Sequence, residues 1–212
     1  MNSTVRKRRE IQQAIHDAAI VEFARTGLAG TSTQAIAQRA GISKAQLHYY
    51  ISSKEELYQQ VLGSIVAEWR TIFLLSADCD DPAQAISQYV ERKLRHALEH
   101  PMMSRLFAHE MARGAPEMAR HWPGLRASVD EASAVIQGWI DNGRIAPVDP
   151  LLFQVNIWAV TQHYADYEAQ VRVLTGAGDN PLDADRIIRE ATTLILRGCG
   201  LGGDGPDKGS PA

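Results

Sequence analysis

"GTSTQAIAQRAGISKAQLHYYISSKEELY", Gly30 to Tyr58, holds two small-residue turns and three short apolar patterns in 29 residues. Thr31 to Thr33 offer hydroxyl caps for a short helix whose Ile36, Ala37 and Ala40 face inward, and Gly41 supplies the sharp turn after it. Ser43 stands three residues before Gln46, and Ser53 three before Glu56, the spacing of a capping box. Two such starts leave room for one helix of about two turns over 44–50. A short helix, a glycine turn and a second short helix predict a helix-turn-helix.

Upstream, Ile11, Ile15, Ala18, Ala19 and Phe23 share one face of a helix expected over 7–26, which Gly27 can close. Downstream, Leu57, Val61, Leu62, Ile65 and Trp69 continue a long helix from Ser53 toward residue 76. Further helices are expected at 83–99, 102–112, 116–142, interrupted or bent near Pro123, 150–174 and 183–198. Sustained period-2 alternation is missing, so the fold class is all-α, with about nine helices. The organisation expected is a DNA-binding domain over 1–52, a larger body over 53–199 and a disordered Gly/Pro/Asp-rich tail over 200–212.

Composition narrows the function. Of 212 residues, 45% are hydrophobic, ample for a core. Cys79 and Cys199 are the two cysteines and show no metal-ligand spacing, so neither a metal site nor any other cofactor is expected. The start of the chain lacks the apolar stretch of a signal peptide, and no run is long enough to span a bilayer. A cytoplasmic protein, on the nucleoid when DNA-bound, is expected, with no membrane partner. Net charge is −3, yet residues 1–60 hold eight Lys/Arg against five Asp/Glu. A basic head on an acidic body points to a polyanion for the head alone, though a difference this small also arises by chance.

In a helix-turn-helix the second helix enters the major groove. Here it begins "SKAQLHYY". Lys44 can reach a guanine edge or a phosphate, Gln46 an adenine or the backbone, and Ala45 a thymine methyl. His48 and Tyr49, one turn on, can donate to phosphates, and Lys54 adds a phosphate charge. Thr31, Thr33 and Ser43, at the helix starts, complete the DNA-contact candidates. Leu47 reads as core and Tyr50 as either. Whether "VRKRRE", Val5 to Glu10, enters a minor groove or frays stays open.

The stretch from Ile11 through Leu57, above all "AIAQRAGISKAQLHYYISSKEELY", resembles the head of the TetR family of transcription regulators. His48 stands where that family usually has Tyr, and Ile51 where it usually has Phe. The resemblance implies an all-helical homodimer with a three-helix head and a ligand-sensing body on each subunit. It implies double-stranded operator DNA and a small-molecule effector as partners.

In the body, Trp158 and Gln162 stand four apart in "NIWAVTQHYADYEAQV", on one helix face. An indole wall beside a carboxamide suits a small planar ring with an amide edge, such as a pyrimidine; ordinary core packing is the alternative. "KLRHALEHPMMSRLFAHEMARGAPEM", "IQGWIDNGRIAPVDP" and "IWAVTQHYADYEAQVRVLTGA" resemble the pyrimidine-utilisation branch of the same family. That resemblance implies uracil or thymine as effector, with Trp158 and Gln162 on pocket positions and Trp69 and Lys93 in comparable places. Lys93 could equally pack its stem on the helix with its ammonium in solvent. "RTIFLLSADCDD", after Trp69, follows that branch poorly, which leaves room for a changed, non-pyrimidine ligand.

Ile187, Ile188, Ala191, Leu194 and Ile195 form an apolar stripe on the last helix, expected at the dimer interface unless it packs within its own subunit. The body's five histidines, His96, His100, His109, His121 and His163, come without a metalloprotease motif, nucleophile elbow or phosphate loop, so an enzyme is not expected. The function expected is a ligand-responsive repressor, binding a pseudo-palindromic operator as a dimer and released by its effector. A constitutive architectural DNA-binder is the rival reading.

Overall fold

The computed structural model describes residues 3–72 and 79–202, and among these the chain is helical, with no strand. Its helices are α1 (Ser3–Gly30), α2 (Thr33–Arg39), α3 (Lys44–Tyr50), α4 (Lys54–Ile72), α5 (Pro82–Glu99), α6 (Pro101–Ala112), a 3-10 turn (Pro116–Met118), α7 (Trp122–Asp141), α8 (Pro150–Asp166), α9 (Glu168–Thr175) and α10 (Ala184–Gly198). The expected disordered tail lies, from residue 203, outside the described residues, as does much of "RTIFLLSADCDD".

Local chemistry explains the boundaries. Gly27 adopts a left-handed φ of 67° with ψ 178°, outside helical geometry, so it closes the first and longer run of α1, and a short second run continues to Gly30. A Cβ there would lie 3.3 Å from the His109 ring, so both conformation and space call for glycine. The cap of α2 is Ser32, whose Oγ accepts from Ala35 N at 3.1 Å; Thr31 and Thr33 do not serve. Ser43 and Ser53 accept from Gln46 N and Glu56 N at 3.1 and 3.0 Å, starting α3 and α4. The helix expected over 116–142 is interrupted just before Pro123: the 3-10 turn ends at Met118 and α7 starts at Trp122, with Pro123 in its first turn, where the missing N–H costs nothing. The helix expected over 150–174 breaks at Tyr167, where φ −112° and ψ 29° leave helical geometry and divide α8 from α9.

The chain forms two compact units that do not follow the expected boundary at 52/53. Met1–Trp69 with His100–Trp122 makes one, Arg70–Glu99 with Pro123–Ala212 the other. In the first, Ile15, Ala19 and Phe23 of α1, Ile36, Leu47, and Tyr58, Val61, Leu62 and Ile65 of α4 are buried. Phe23 and Tyr58 meet edge to face at 4.9 Å. In the second, α5, α7, α8 and α10 close around Ile86, Val90, Leu94, Ile136, Trp139, Phe153 and Ile157.

Ile187, Ala191 and Ile195 belong to that same core, so three of the five residues expected at a dimer interface pack within their own chain. The reason is that α10 lies along α5 and turns its apolar stripe onto it. Ile188 is half-buried, and Leu194 stands 61% exposed. Cys79 and Cys199 are free thiols, half-buried and buried.

Candidate nucleic-acid interface and effector site

The three-helix head presents α3 by burying one residue of it. Leu47 is fully buried, while Ser43, Lys44, Ala45, Gln46, His48 and Tyr49 are exposed, Tyr49 to 76%. Tyr50 is half-buried and meets the Tyr49 ring edge to face at 5.3 Å. Two turns of helix held by one anchor thus offer two cation-capable groups, a carboxamide, a hydroxyl and a phenol on a single surface. Such a surface can donate to base edges and phosphates.

Two other candidates behave differently. Thr31 is buried, and its hydroxyl faces Gly27 O at 2.7 Å, Glu22 O at 3.0 Å and the Thr26 hydroxyl at 2.8 Å. A side chain so occupied holds the α1–α2 junction together instead of reaching outward. Lys54 donates through Nζ to Thr31 O at 2.9 Å, which ties the start of α4 to that junction. Its ammonium keeps further donors, but its first task is to brace the head. Thr33, in the first turn of α2, is half-buried.

The effector candidates divide between the two units. Trp69 lies on α4, half-buried, its ring 4.8 Å from that of Phe107 of α6. In the other unit, Trp158 and Gln162 sit one turn apart on α8, and Lys93 lies on α5, which packs against α8. The pairing that joins these helices includes a residue missed in sequence: buried Tyr89, one turn before Lys93, accepts the Trp158 indole N–H at 2.9 Å. With its N–H committed to Tyr89, Trp158 has no indole donor left for a ligand. The i, i+4 spacing of Tyr89 and Lys93 was the available signal, but a tyrosine in a helix carries no mark of its partner. Gln162 is half-buried, and its carboxamide makes no hydrogen bond among the described residues.

Burial pushes the Tyr89 hydroxyl up to about 12 and the Lys93 ammonium down to about 8. Half-buried on α5, Lys93 does not stand fully in solvent. Its lowered value predicts a stability profile. Below pH 8 the folded chain holds a charge its surroundings disfavour; between about 8 and 10.5 the unfolded chain binds the proton that the folded chain has released, so stability rises with pH across that window. Lys93→Met, which has no proton to release, is expected to flatten that rise. Thermal melts of both proteins from pH 7 to 10 check it; an unchanged profile would place the charge in water.

A groove of about 410 Å³ lies elsewhere, lined by Val148, Leu152, Phe153, Asn156 and Val160 on one side and Leu194 and Ile195 on the other. Neither Trp158 nor Gln162 lines it. It is open and apolar, and Leu151, Leu152, Val155 and Leu194 beside it are exposed. These four belong to α8 and α10.

Comparison with known proteins agrees with this architecture. Residues 15–61 match the model for bacterial regulatory proteins of the tetR family, and residues 62–202 that for the C-terminal region of YcdC-like proteins. The HTH-type transcriptional regulator RutR of Escherichia coli (strain K12) is 42% identical over 167 residues, 78% of this chain and 79% of RutR. The HTH-type transcriptional repressor SCO4008 of Streptomyces coelicolor is 29% identical over 192 residues, 86% of this chain and 94% of its own. The ketosteroid transcriptional regulator KstR2 of Mycobacterium tuberculosis shares the fold at a TM-score of 0.69 with 18% identity, over 87% of this chain and 92% of that one. AibR, in its complex with isovaleryl coenzyme A and operator DNA, does so at 0.68 with 17% identity, over 87% and 97%. No described helix is long and apolar enough to cross a membrane. With both halves matched to regulatory families and a relative of this similarity, the chain belongs to the TetR family of helix-turn-helix transcriptional regulators, which act on DNA and are not enzymes.

Proposed function

We propose that this protein is a dimeric cytoplasmic repressor that leaves its operator when a small planar effector, uracil or thymine, occupies the body. The observation that carries the reading is α3: one buried leucine, six exposed residues able to contact DNA. Lys44, Ala45 and Gln46 read base edges, while Thr33, Ser43, His48 and Tyr49 hold phosphates. Thr31 and Lys54 act mainly by fixing the head. Residues 1–52 serve DNA reading and 53–199 sensing and pairing, with α4 as the lever between them.

The homodimer forms through α8 and α10, with Leu194 at the seam and Ile188 at its edge. Ile187, Ala191 and Ile195 support that surface from beneath. Two α3 helices about 34 Å apart then meet successive major grooves of a pseudo-palindromic operator. An effector lowers DNA affinity only if it prefers the state with the wrong head spacing, typically by about 1–3 kcal/mol.

For the effector, the Trp158 ring face, the Gln162 carboxamide and the Lys93 ammonium supply a flat wall, a donor–acceptor pair and a donor. Trp69, on the other unit, stays a separate candidate for an aromatic ligand contact. An imide edge between two ring carbonyls matches that set. A melt of the full-length protein with uracil, thymine, purines and unrelated planar acids tests it. A pyrimidine at 100 times its Kd should stabilise the fold by about 2.7 kcal/mol, and Gln162→Leu should abolish the shift. A shift with another planar class alone would keep the regulator and replace the ligand.

A further inference from the structure

Asn156 interrupts an apolar face. The exposed residues Leu152, Val155, Asn156 and Ala159 of α8 recur at helical spacing, so they share one side of the helix. Leu152, Asn156 and Val160, each one turn from the next, line the groove that α8 forms with Leu194 and Gly198 of α10. Asp149, the other polar residue of that lining, is occupied: its carboxylate accepts from Leu151 N and Leu152 N, both at 2.9 Å, and starts α8. The Asn156 carboxamide makes no hydrogen bond among the described residues. One amide without a partner thus stands among apolar side chains.

That amide restricts what can close the groove. A purely apolar partner would bury it without a hydrogen bond, which is destabilising. A carboxamide carries donors and an acceptor side by side, so two of them can exchange hydrogen bonds, and the side chain is its own complement. A two-fold interface lays one patch against the same patch of another copy, and a residue on the axis meets itself. Gly198, across the groove, has no side chain to hold two copies apart, so a side chain as short as asparagine can reach over. A lone asparagine in an apolar helix seam selects partners in just this way, at some expense of stability.

We propose that a second copy of this chain closes the groove with Asn156 on the two-fold axis, its carboxamide hydrogen-bonded to that of Asn156 of the partner subunit. The proposal rests on the α8 and α10 pairing above and adds to it the residue that makes the pairing self-selective. Apolar contact is non-directional, so the leucines beside Asn156 supply affinity for many apolar helices. The amide pair rewards a partner that carries the same group at the same place and penalises one that does not.

A charge swap in the full-length protein tests it, read by sedimentation velocity and native mass spectrometry. Asn156→Asp and Asn156→Lys each set two like charges face to face, so each alone should raise the dimer Kd by at least about tenfold at neutral pH. Mixed in equal amounts, the two should recover the dimer, with one chain of each kind in it. Asn156→Leu should still dimerise, but mixed with the wild type it should form fewer mixed dimers than the one half that chance gives, since leucine leaves the facing amide without a partner. Asn156 is exposed, so all three variants should keep the wild-type helical spectrum, and recovery on mixing itself shows both charged variants folded. Charged variants that dimerise like the wild type, or a mixture that stays monomeric, would overturn the axial position of Asn156. Mixed dimers at one half would overturn its selectivity. In either case the pairing reading survives as long as Leu152→Glu with Leu194→Glu yields monomers. A dimer that tolerated those two glutamates would remove the pairing surface, and the Asn156 pair with it.

Discussion

Protein carrying Leu152→Glu and Leu194→Glu should sediment as a monomer with an intact helical spectrum and bind its operator at least a hundredfold more weakly. Leu152 and Leu194 are 55% and 61% exposed and border the same groove, from α8 and α10. Burying a leucine against a partner contributes about 1.5–3 kcal/mol, and two-fold symmetry counts each twice. Glutamate removes that gain and places four like charges in one seam. A monomer also loses the effective concentration, typically millimolar, with which a first bound head presents the second. Sedimentation velocity and operator titration read the two effects. A variant that remained a dimer would move the pairing surface away from α8 and α10. A variant that turned monomeric yet bound as tightly would end the two-headed mechanism.

Glu110→Leu should destabilise the protein by about 4 kcal/mol, seen as a lower midpoint in urea. Glu110 is fully buried on α6. Its carboxylate accepts from the Tyr58 hydroxyl at 2.9 Å and the Glu117 backbone N–H at 2.7 Å, and Arg113 stands at 3.4 Å. Leucine keeps the volume but strands the buried Tyr58 hydroxyl and the part-buried Glu117 N–H, each at about 1–3 kcal/mol; Arg113, partly exposed, can turn to water. The same carboxylate secures the left-handed turn at Gly114 and Ala115, from which Glu117 is presented to Gln59 of α4. Tyr58→Phe removes one donor and leaves Glu110 its others, so it should cost about 1 kcal/mol. Burial and the neighbouring carboxylate push the Tyr58 hydroxyl well above its ordinary value, so it is a neutral donor throughout the working pH range. Equal losses for the two variants would show that the Tyr58 bond alone matters.

The DNA-facing helices were legible because their signals are local. Ser43 caps a residue three positions away, Gly41 turns on its own φ of 71°, and Leu47 is marked by its offset from the polar face around it. The proposed effector region was half legible: Trp158 and Gln162 share a face by their spacing, whereas Tyr89 takes the Trp158 N–H from 69 residues away. Thr31 looked like a cap and proved to be a buried strut, because three neighbours converge on its hydroxyl. The stripe on α10 was correctly read as apolar, but periodicity states that a face must be covered and not what covers it.

The amino-acid sequence by itself determined the all-helical class, the helix starts and the recognition motif, since caps, glycine turns and i, i+4 faces are set by residues within a turn or two of one another. Tertiary structure alone decided that α10 spends its stripe on α5, that Lys54 braces Thr31 across 23 residues and that Glu110 meets Tyr58 across 52. Such pairings follow from which helices pack together, and a polar side chain carries no record in its own sequence neighbourhood of the distant group that will satisfy it once both are buried.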